Sequence, residues 1–525
     1  MFRIRFLFSG RSLVLGLQST FMWLAIFLVG NLLGQPCAAD DADVRKSVVK
    51  IKVTRVSPDL YEPWKRKSPR ESGGTGVIID GNRILTNAHV VGYARSITVQ
   101  GFESAEKVTA KVIGISKGQD LAVLSVDDEE FFEDRPALQF LDKLPAVKDK
   151  VNVFGFPYGG RQISVTEGII SRIEFGRYLK GITQGLRIQI DAAVNPGNSG
   201  GPAVKDGKMV GLVFSGIREA DNVAYLIPIE EIRLFLNDIE DGSYDGKLVL
   251  PRCYSTQTLE NDAIRKKLGL SKKMGGVMVR EIKPREGNQD DDTLRTWDVI
   301  TKIDGQAIDR QGMTALGEGS RVSLYYLIQK HIDEDTVHMT LLRDGKEVEV
   351  DVRLRRGDLM LAKDLKLEYP KYIIVGPMVF QPATTDFVYQ MHGSKKWVSH
   401  FVSKLNPVMS LGYSPRTVEN EDVEVVLTGL SFLPHAITKG YSDPGFGVIK
   451  KFNDVEVKNL KHMVELMRDS KEEYFVFEFA GKSYETYVFE REAFLAATEE
   501  VLDDNGIRRQ GTPELLKVWN QEPAE

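Results

Sequence analysis

Residues 191–204, "DAAVNPGNSGGPAV", break a run of strand-forming sequence with Pro196, Gly197, Gly200, Gly201 and Pro202 around one serine, Ser199. Glycine is costly inside a strand and is used where the backbone must take positive φ or approach another group closely. The stretch reads as a tight loop holding the Ser199 hydroxyl outward, which makes it a candidate nucleophile. A Gly-rich hairpin without chemistry would look the same on these residues alone. The surrounding sequence must therefore supply a base and an acid.

From Val44 to about Asp241, short apolar runs alternate with turn residues: "VVKIKV", "GTGVIID", "RILTNAHVV", "SITVQ", "LAVLSV", "VNVFGFP", "RIQID" and "MVGLVFSG". Strands at this spacing, with little helix between them, predict an antiparallel barrel or sandwich. The exit is the amphipathic "PIEEIRLFLNDIE", with Ile229, Ile232, Phe235, Leu236 and Ile239 at helical spacing. A serine needs a base whose pKa lies near neutrality, and the one histidine before His331 is His89, in "ILTNAHVV" directly after an apolar strand. Asp120, in "KGQDLAVLSV", lies where a polar loop meets a strand, so its carboxylate can turn inward to orient an imidazole. Asp127, Asp128, Glu129 and Glu130 read as a solvated turn, and Asp191 as a structural hydrogen-bonding residue. The order His89, Asp120, Ser199 is that of chymotrypsin-type proteases, not of subtilisins or α/β-hydrolases.

The chain has 525 residues, enough for three or four domains at roughly 150 residues each. Its 69 basic and 74 acidic residues are mixed and leave a net charge of −5, so nothing points to nucleic acid. Residues 1–39 stand apart. Arg3, Arg5 and Arg11 precede the apolar "FMWLAIFLVGNLLG", and small residues follow in "PCAAD", which is the layout of a signal peptide cleaved after Ala39. An uncleaved membrane anchor is the alternative. Cleavage would remove Cys37 and leave Cys253 alone, without a disulfide partner. The remaining histidines (331, 338, 392, 400, 435 and 462) show no metal-ligand spacing, and no "GxxxxGK[ST]" motif is present. Neither a metal nor a nucleotide cofactor is expected.

"TNAHVV", "DLAVLSV", "ISVTEGIISRIE" and "IQIDAAVNPGNSGGPAV" resemble the motif blocks of the HtrA/Deg serine proteases. The resemblance implies a mainly β, two-barrel trypsin-like domain over residues 40–243, with catalytic His89, Asp120 and Ser199. It also implies an oxyanion hole from the backbone N–H groups of Gly197 and Ser199, with Asn198 between them. In that fold the pocket base lies six residues before the nucleophile, at Ala193, and the apolar strand at Val213, Phe214, Ser215 and Gly216 is expected to wall it. With no acid there, small or medium apolar residues are expected before the cut.

Downstream, "GGVMVREI", "WDVITKIDGQAI", "RVSLYYLIQKH" and "TVHMTLLRDGKEVEVDVRLRR" resemble a PDZ domain over about 250–357. The loop at Met274, Gly275, Gly276 and Val277 is expected to offer N–H groups to a peptide carboxylate. Trp297 departs from the family, which carries glycine there. A weaker copy at 371–492 is similar to the degenerate second PDZ domain of plant-type Deg proteases, and the tail 493–525 is expected to pack back on it as helix. The family implies an ATP-independent endopeptidase of unfolded or damaged extracytoplasmic proteins, periplasmic or exported, acting as a homo-oligomer built on trimers with Tyr61 and Trp64 as candidate contact aromatics. The rival reading is a PDZ-based chaperone or peptide-binding protein with little proteolysis.

Overall fold

The computed structural model describes residues 41–521 except 159, 161, 179–182, 217–222, 243, 250–253, 283–292, 318–319, 332–333, 357–359 and 414–421. The leader-like stretch 1–39 and both cysteines lie outside the described residues. Among the described residues, no helix is long and apolar enough to cross a membrane.

The β-rich first half forms two closed six-stranded barrels. The first contains β1 (Val48–Arg55), β2 (Arg70–Ile79), β3 (Arg83–Thr86), β4 (Ala94–Gln100), β5 (Val108–Ser116) and β6 (Leu121–Val126), in the order β1-β2-β3-β6-β5-β4. The second contains β7 (Lys150–Gly155), β8 (Ser164–Arg177), β9 (Gln184–Ile190), β10 (Pro202–Lys205), β11 (Lys208–Gly216) and β12 (Ala224–Pro228), in the order β10-β11-β12-β9-β8-β7. Alternation fills the interiors: Val49, Ile51 and Val53 of β1 share one core with Ile84, Val99 and Leu124, and Leu186, Ile188 and Ile190 of β9 share another with Val151 and Val153. A third cluster joins the barrels, with Leu85 and Val123 from the first and Phe154, Leu212 and Ile227 from the second. The predicted exit helix spans Ile229–Asp238 and seals that seam with Ile232 and Phe235.

Two further antiparallel sheets follow. One orders Tyr254–Thr258, Val277–Ile282, Val299–Ile303, Thr336–Arg343 and Lys346–Arg353 side by side, with the short helix Tyr325–Gln329, and its core is continuous with that of the second barrel. The other runs from Ile373–Val375 to Tyr487–Glu490. Its core takes in Phe494 of the helix Arg491–Asp504 and Leu515 of the helix Pro513–Trp519, so the terminal helices pack on that sheet. Trp297 has φ +79°, the left-handed conformation that glycine favours, and its N–H still bonds Val279 O at 2.8 Å. A tryptophan in this conformation carries backbone strain that glycine would not.

Candidate active site

The chain leaves β3 through Asn87, which caps the one-turn helix Ala88–Val91 and is fully buried. Its Nδ2 donates to Asp120 O at 2.9 Å, tying the histidine turn to the turn before β6. Asp120 is held at φ +58° with 5% of its surface exposed, and its N–H bonds Lys117 O at 3.3 Å. Its carboxylate accepts twice from one residue: Oδ1 takes the His89 backbone N–H at 2.9 Å, and Oδ2 lies 2.7 Å from His89 Nδ1. An acceptor at Nδ1 assigns the proton to that nitrogen, so Nε2 carries the lone pair that a general base needs. The ring stays 45% exposed.

The serine turn belongs to the second barrel but docks on the first. Ser199 O accepts from Thr75 N at 2.9 Å. A Cβ on Gly74 would lie 2.8 Å from Val90 and 3.1 Å from Ser199 O, so the histidine helix and the serine turn meet at a strand position that has room only for glycine. Gly200, at φ +85°, would place a Cβ 2.0 Å from Thr75 O, which is why this loop needs its glycines. The neighbouring carbonyls are each held: Pro196 O by Tyr158 N at 2.7 Å, Gly197 O by the Thr75 hydroxyl at 2.8 Å, and Asn198 O by Gly201 N at 2.9 Å. A trans peptide points N–H opposite to C=O, so fixing Pro196 O and Asn198 O aims the Gly197 and Ser199 N–H groups the other way. Neither of these N–H groups has a backbone acceptor among the described residues. Asn198 N–H is used on Asn195 O at 3.0 Å and is not a donor to the cleft. The Ser199 hydroxyl makes no hydrogen bond among the described residues.

A buried polar cluster beside this site is absent from the sequence reading, which placed Glu231 only within an amphipathic helix. Glu231 is 3% exposed; it accepts Leu186 N–H at 2.7 Å and Gln119 Nε2 at 3.4 Å, and it pairs with Lys247. Lys247 reaches Gln184 O at 3.3 Å and Gln329 Oε1 at 3.2 Å, and burial pushes its ammonium pKa down. The cluster therefore joins the helix Tyr325–Gln329 to Gln119, the residue before Asp120. Truncating one member leaves the other's charge buried and unpaired, at a cost of about 3–5 kcal/mol. Glu231→Ala is expected to lower the melting temperature by several degrees in a thermal melt. An unchanged transition would show that the pair is not buried in solution.

Other expected site residues fall elsewhere. Ala193 is exposed, but Val213 lies in the second-barrel core, bonded through N and O to Gly201 and Gly200. Phe214 is 3% exposed and packs its ring on Tyr178 and Tyr225. Alternation along a strand with two packed faces buries both side chains, one on each face. Ser215 and Gly216 pair with Tyr225 and Ala224 at the end of β11. Asp191 is structural as read, its Oδ1 accepting Ile169 N at 2.6 Å.

In the Met274–Val277 loop, Gly276 N–H is used on Asp309 O at 3.2 Å, and Met274 N–H on Ser271 O at 3.2 Å. Val277–Ile282 pairs with Tyr254–Thr258 along its length and, through Val277 and Met278, with Val299–Ile303; an outer strand of this sheet is Tyr254–Thr258. Tyr61 and Trp64, candidates for contacts between copies, are covered from within the chain. Tyr61 lies 5.6 Å from the Phe446 ring and 6.4 Å from Phe387, and Trp64 lies 6.4 Å from Tyr372. The later histidines include His331, 2.8 Å from Asp304, and His338, between Asp351 and Glu349.

Residues 74–212 match the family model "Trypsin-like peptidase domain", and residues 363–514 match a "PDZ domain" model. Protease Do-like 4, mitochondrial, of Arabidopsis thaliana is 34% identical over 80% of this chain and 76% of its own length. Protease Do-like 2, chloroplastic, of the same plant is 33% identical over 92% and 77%. The solved HtrA-type protease AlgW with tripeptide aligns at a TM-score of 0.45 and 25% identity, over 61% of this chain and 97% of that one. With two barrels, a histidine–aspartate pair whose turn meets a glycine-framed serine turn at Gly74, and this similarity to the Do-like proteases, the chain belongs to the HtrA/Deg family of trypsin-like serine proteases with PDZ modules.

Proposed function

We propose that the chain is an ATP-independent endopeptidase that cuts unfolded or damaged proteins outside the cytoplasm through an acyl-enzyme. The observation that carries this reading is the double acceptance by Asp120 of His89 N–H and Nδ1, together with a serine turn whose Gly197 and Ser199 N–H groups have no backbone acceptor among the described residues. In the proposed reaction Ser199 Oγ attacks the scissile carbonyl while His89 Nε2 takes its proton. Asp120 stabilises the imidazolium, and the Gly197 and Ser199 N–H groups receive the oxyanion. His89 then protonates the leaving amine, and water, activated by the same nitrogen, releases the acyl group. The missing Ser199 hydrogen bond fits a site whose contacts tighten around substrate. The leader-like residues 1–39 support export, and a mature chain that still begins at Met1 would remove that half of the proposal.

The pocket is proposed to take small or medium apolar side chains. Ala193 offers no counter-charge, and the nearby Asp191 carboxylate is bonded to Ile169 N, so a lysine or arginine entering here would lose hydration without compensation. Each methylene that fits is worth about 1–3 kcal/mol, which gives a graded preference. Incubating a denatured model protein without nucleotide and mapping the cuts by mass spectrometry tests the proposal. Most cuts are expected after valine, alanine or leucine, with the native form of the same protein spared. A majority after lysine or arginine would refute the pocket, and no cutting at all would favour peptide binding without proteolysis.

A further inference from the structure

The two turns that carry His89 and Asp120 are gripped from outside the protease barrels by one segment of the chain. Lys117 begins the Asp120 turn, and its Nζ lies 2.9 Å from Asp364 Oδ2 and 2.6 Å from Asp386 Oδ1. Asp386 sits in the first turn of the helix Thr385–His392, where its other oxygen takes Leu365 N–H at 3.2 Å. The Thr385 hydroxyl reaches Asp364 at 3.3 Å. Both acids are therefore fixed in the C-terminal sheet module before they meet the lysine, which is only 27% exposed. Three residues past Asp364, Leu367 rests on Gly92, the C-cap of the histidine helix: a Cβ there would stand 3.3 Å from Leu367 Cδ2.

Tyr369 completes the grip. Its hydroxyl donates to Val56 O at 2.5 Å and accepts from Arg95 at 2.9 Å, and its ring lies under Arg66 and Arg95 at 4.5 and 5.1 Å. It also meets the ring of Tyr93 at 5.9 Å, and Tyr93 is itself held at φ +58°, one residue past Gly92. The half-buried Tyr61 and Trp64 rings anchor the same face to Phe387, Phe446 and Tyr372. The serine turn is not among these contacts. The grip acts on the His–Asp half of the site and leaves the Ser199 half to the barrel seam.

We propose that the segment 363–369, with Asp386, is a clasp through which the C-terminal PDZ-like module sets the position of His89 and Asp120, and that Lys117 is its positioning residue. The proposal rests on the triad reading above. Lys117 touches no substrate; it acts through the turn whose carbonyl holds Asp120 N–H. A displacement of that turn by a fraction of an ångström would be felt in proton transfer and not in peptide binding.

The full-length protein tests this with a short chromogenic peptide and with hydrogen exchange. Lys117→Ala is expected to lower kcat by about tenfold with KM within about twofold, because misplaced catalytic groups, not lost contacts, are at fault. Lys117→Arg, which keeps the charge between the two acids, is expected to stay within about twofold of wild type. The pair Asp364→Asn with Asp386→Asn, which leaves every barrel residue unchanged, should reproduce the alanine variant. Adding Lys117→Ala to that pair should cost nothing more. Backbone amides of segments 87–93 and 117–121 should exchange faster in the clasp variants, while those of 184–190 stay unchanged. Wild-type kcat in Lys117→Ala, additive losses in the triple variant, or unchanged exchange would each overturn the clasp. The exchange readout needs no hydrolysis, so if activity proved independent of Ser199 the triad reading would fail while the clasp was still decided.

Discussion

Ser199→Ala is expected to cut peptide-bond hydrolysis by at least about a thousandfold while leaving the melting temperature within a degree or two of wild type. The first half of that expectation follows from chemistry: no other hydroxyl in the turn from Asp191 to Pro202 can form the acyl-enzyme. The second follows from packing. Ser199 is fixed by its backbone, through Thr75 N, and the hydroxyl makes no hydrogen bond among the described residues, so removing it breaks nothing that holds the fold. Residual activity within tenfold of wild type, measured on a denatured substrate with active-site titration, would remove Ser199 from the mechanism.

His89→Ala should cost nearly as much, and Asp120→Asn somewhat less, with losses on the order of a thousandfold or greater. The amide would present a donor where the imidazole Nδ1–H now finds an acceptor, forcing the opposite tautomer and removing the lone pair from Nε2. It would also disturb the His89 N–H bond to Oδ1. Since the three groups act on one proton, the His89→Ala, Ser199→Ala double variant is expected to be no slower than either single one by more than a few-fold. A double variant slower by the product of the two losses would mean that they act independently.

The His89–Asp120 pair was legible because each residue borders a strand, His89 just past β3 and Asp120 just before β6, and strand bounds were readable from apolar runs. The barrel strands missing from the sequence reading show the limit. Val108–Ser116 carries Lys111 and Gly114 and has an exposed middle, so its alternation is broken, and only pairing with β4 and β6 makes it a strand. Pro202–Lys205 is four residues long and hidden behind the glycines of the serine turn.

Tertiary context supplies what a short window of sequence does not carry. The apolar strand of Val213 and Phe214 is the expected pocket wall, and closure of the second barrel buries both side chains. The Met274–Val277 loop has the glycines of a carboxylate cradle, yet strand order gives Val277–Ile282 neighbours on both sides, and order is set by contacts far apart in sequence. Glu231 and Lys247 look like surface charges in a window of a few residues. Only the meeting of β9, the exit helix and the helix Tyr325–Gln329 makes them a buried pair. Tyr61 and Trp64, candidates for contacts between copies by family resemblance, find ring partners some 300 residues away in the same chain.

Reaction of the folded, full-length protein with a fluorophosphonate, followed by peptide mapping, tests the central claim most directly. The reagent phosphonylates a serine only where a base and an oxyanion hole act on it together. One adduct is predicted, on Ser199, absent in His89→Ala and appearing in step with the loss of proteolysis. An adduct on another serine, or full proteolysis with Ser199 unmodified, would contradict the account.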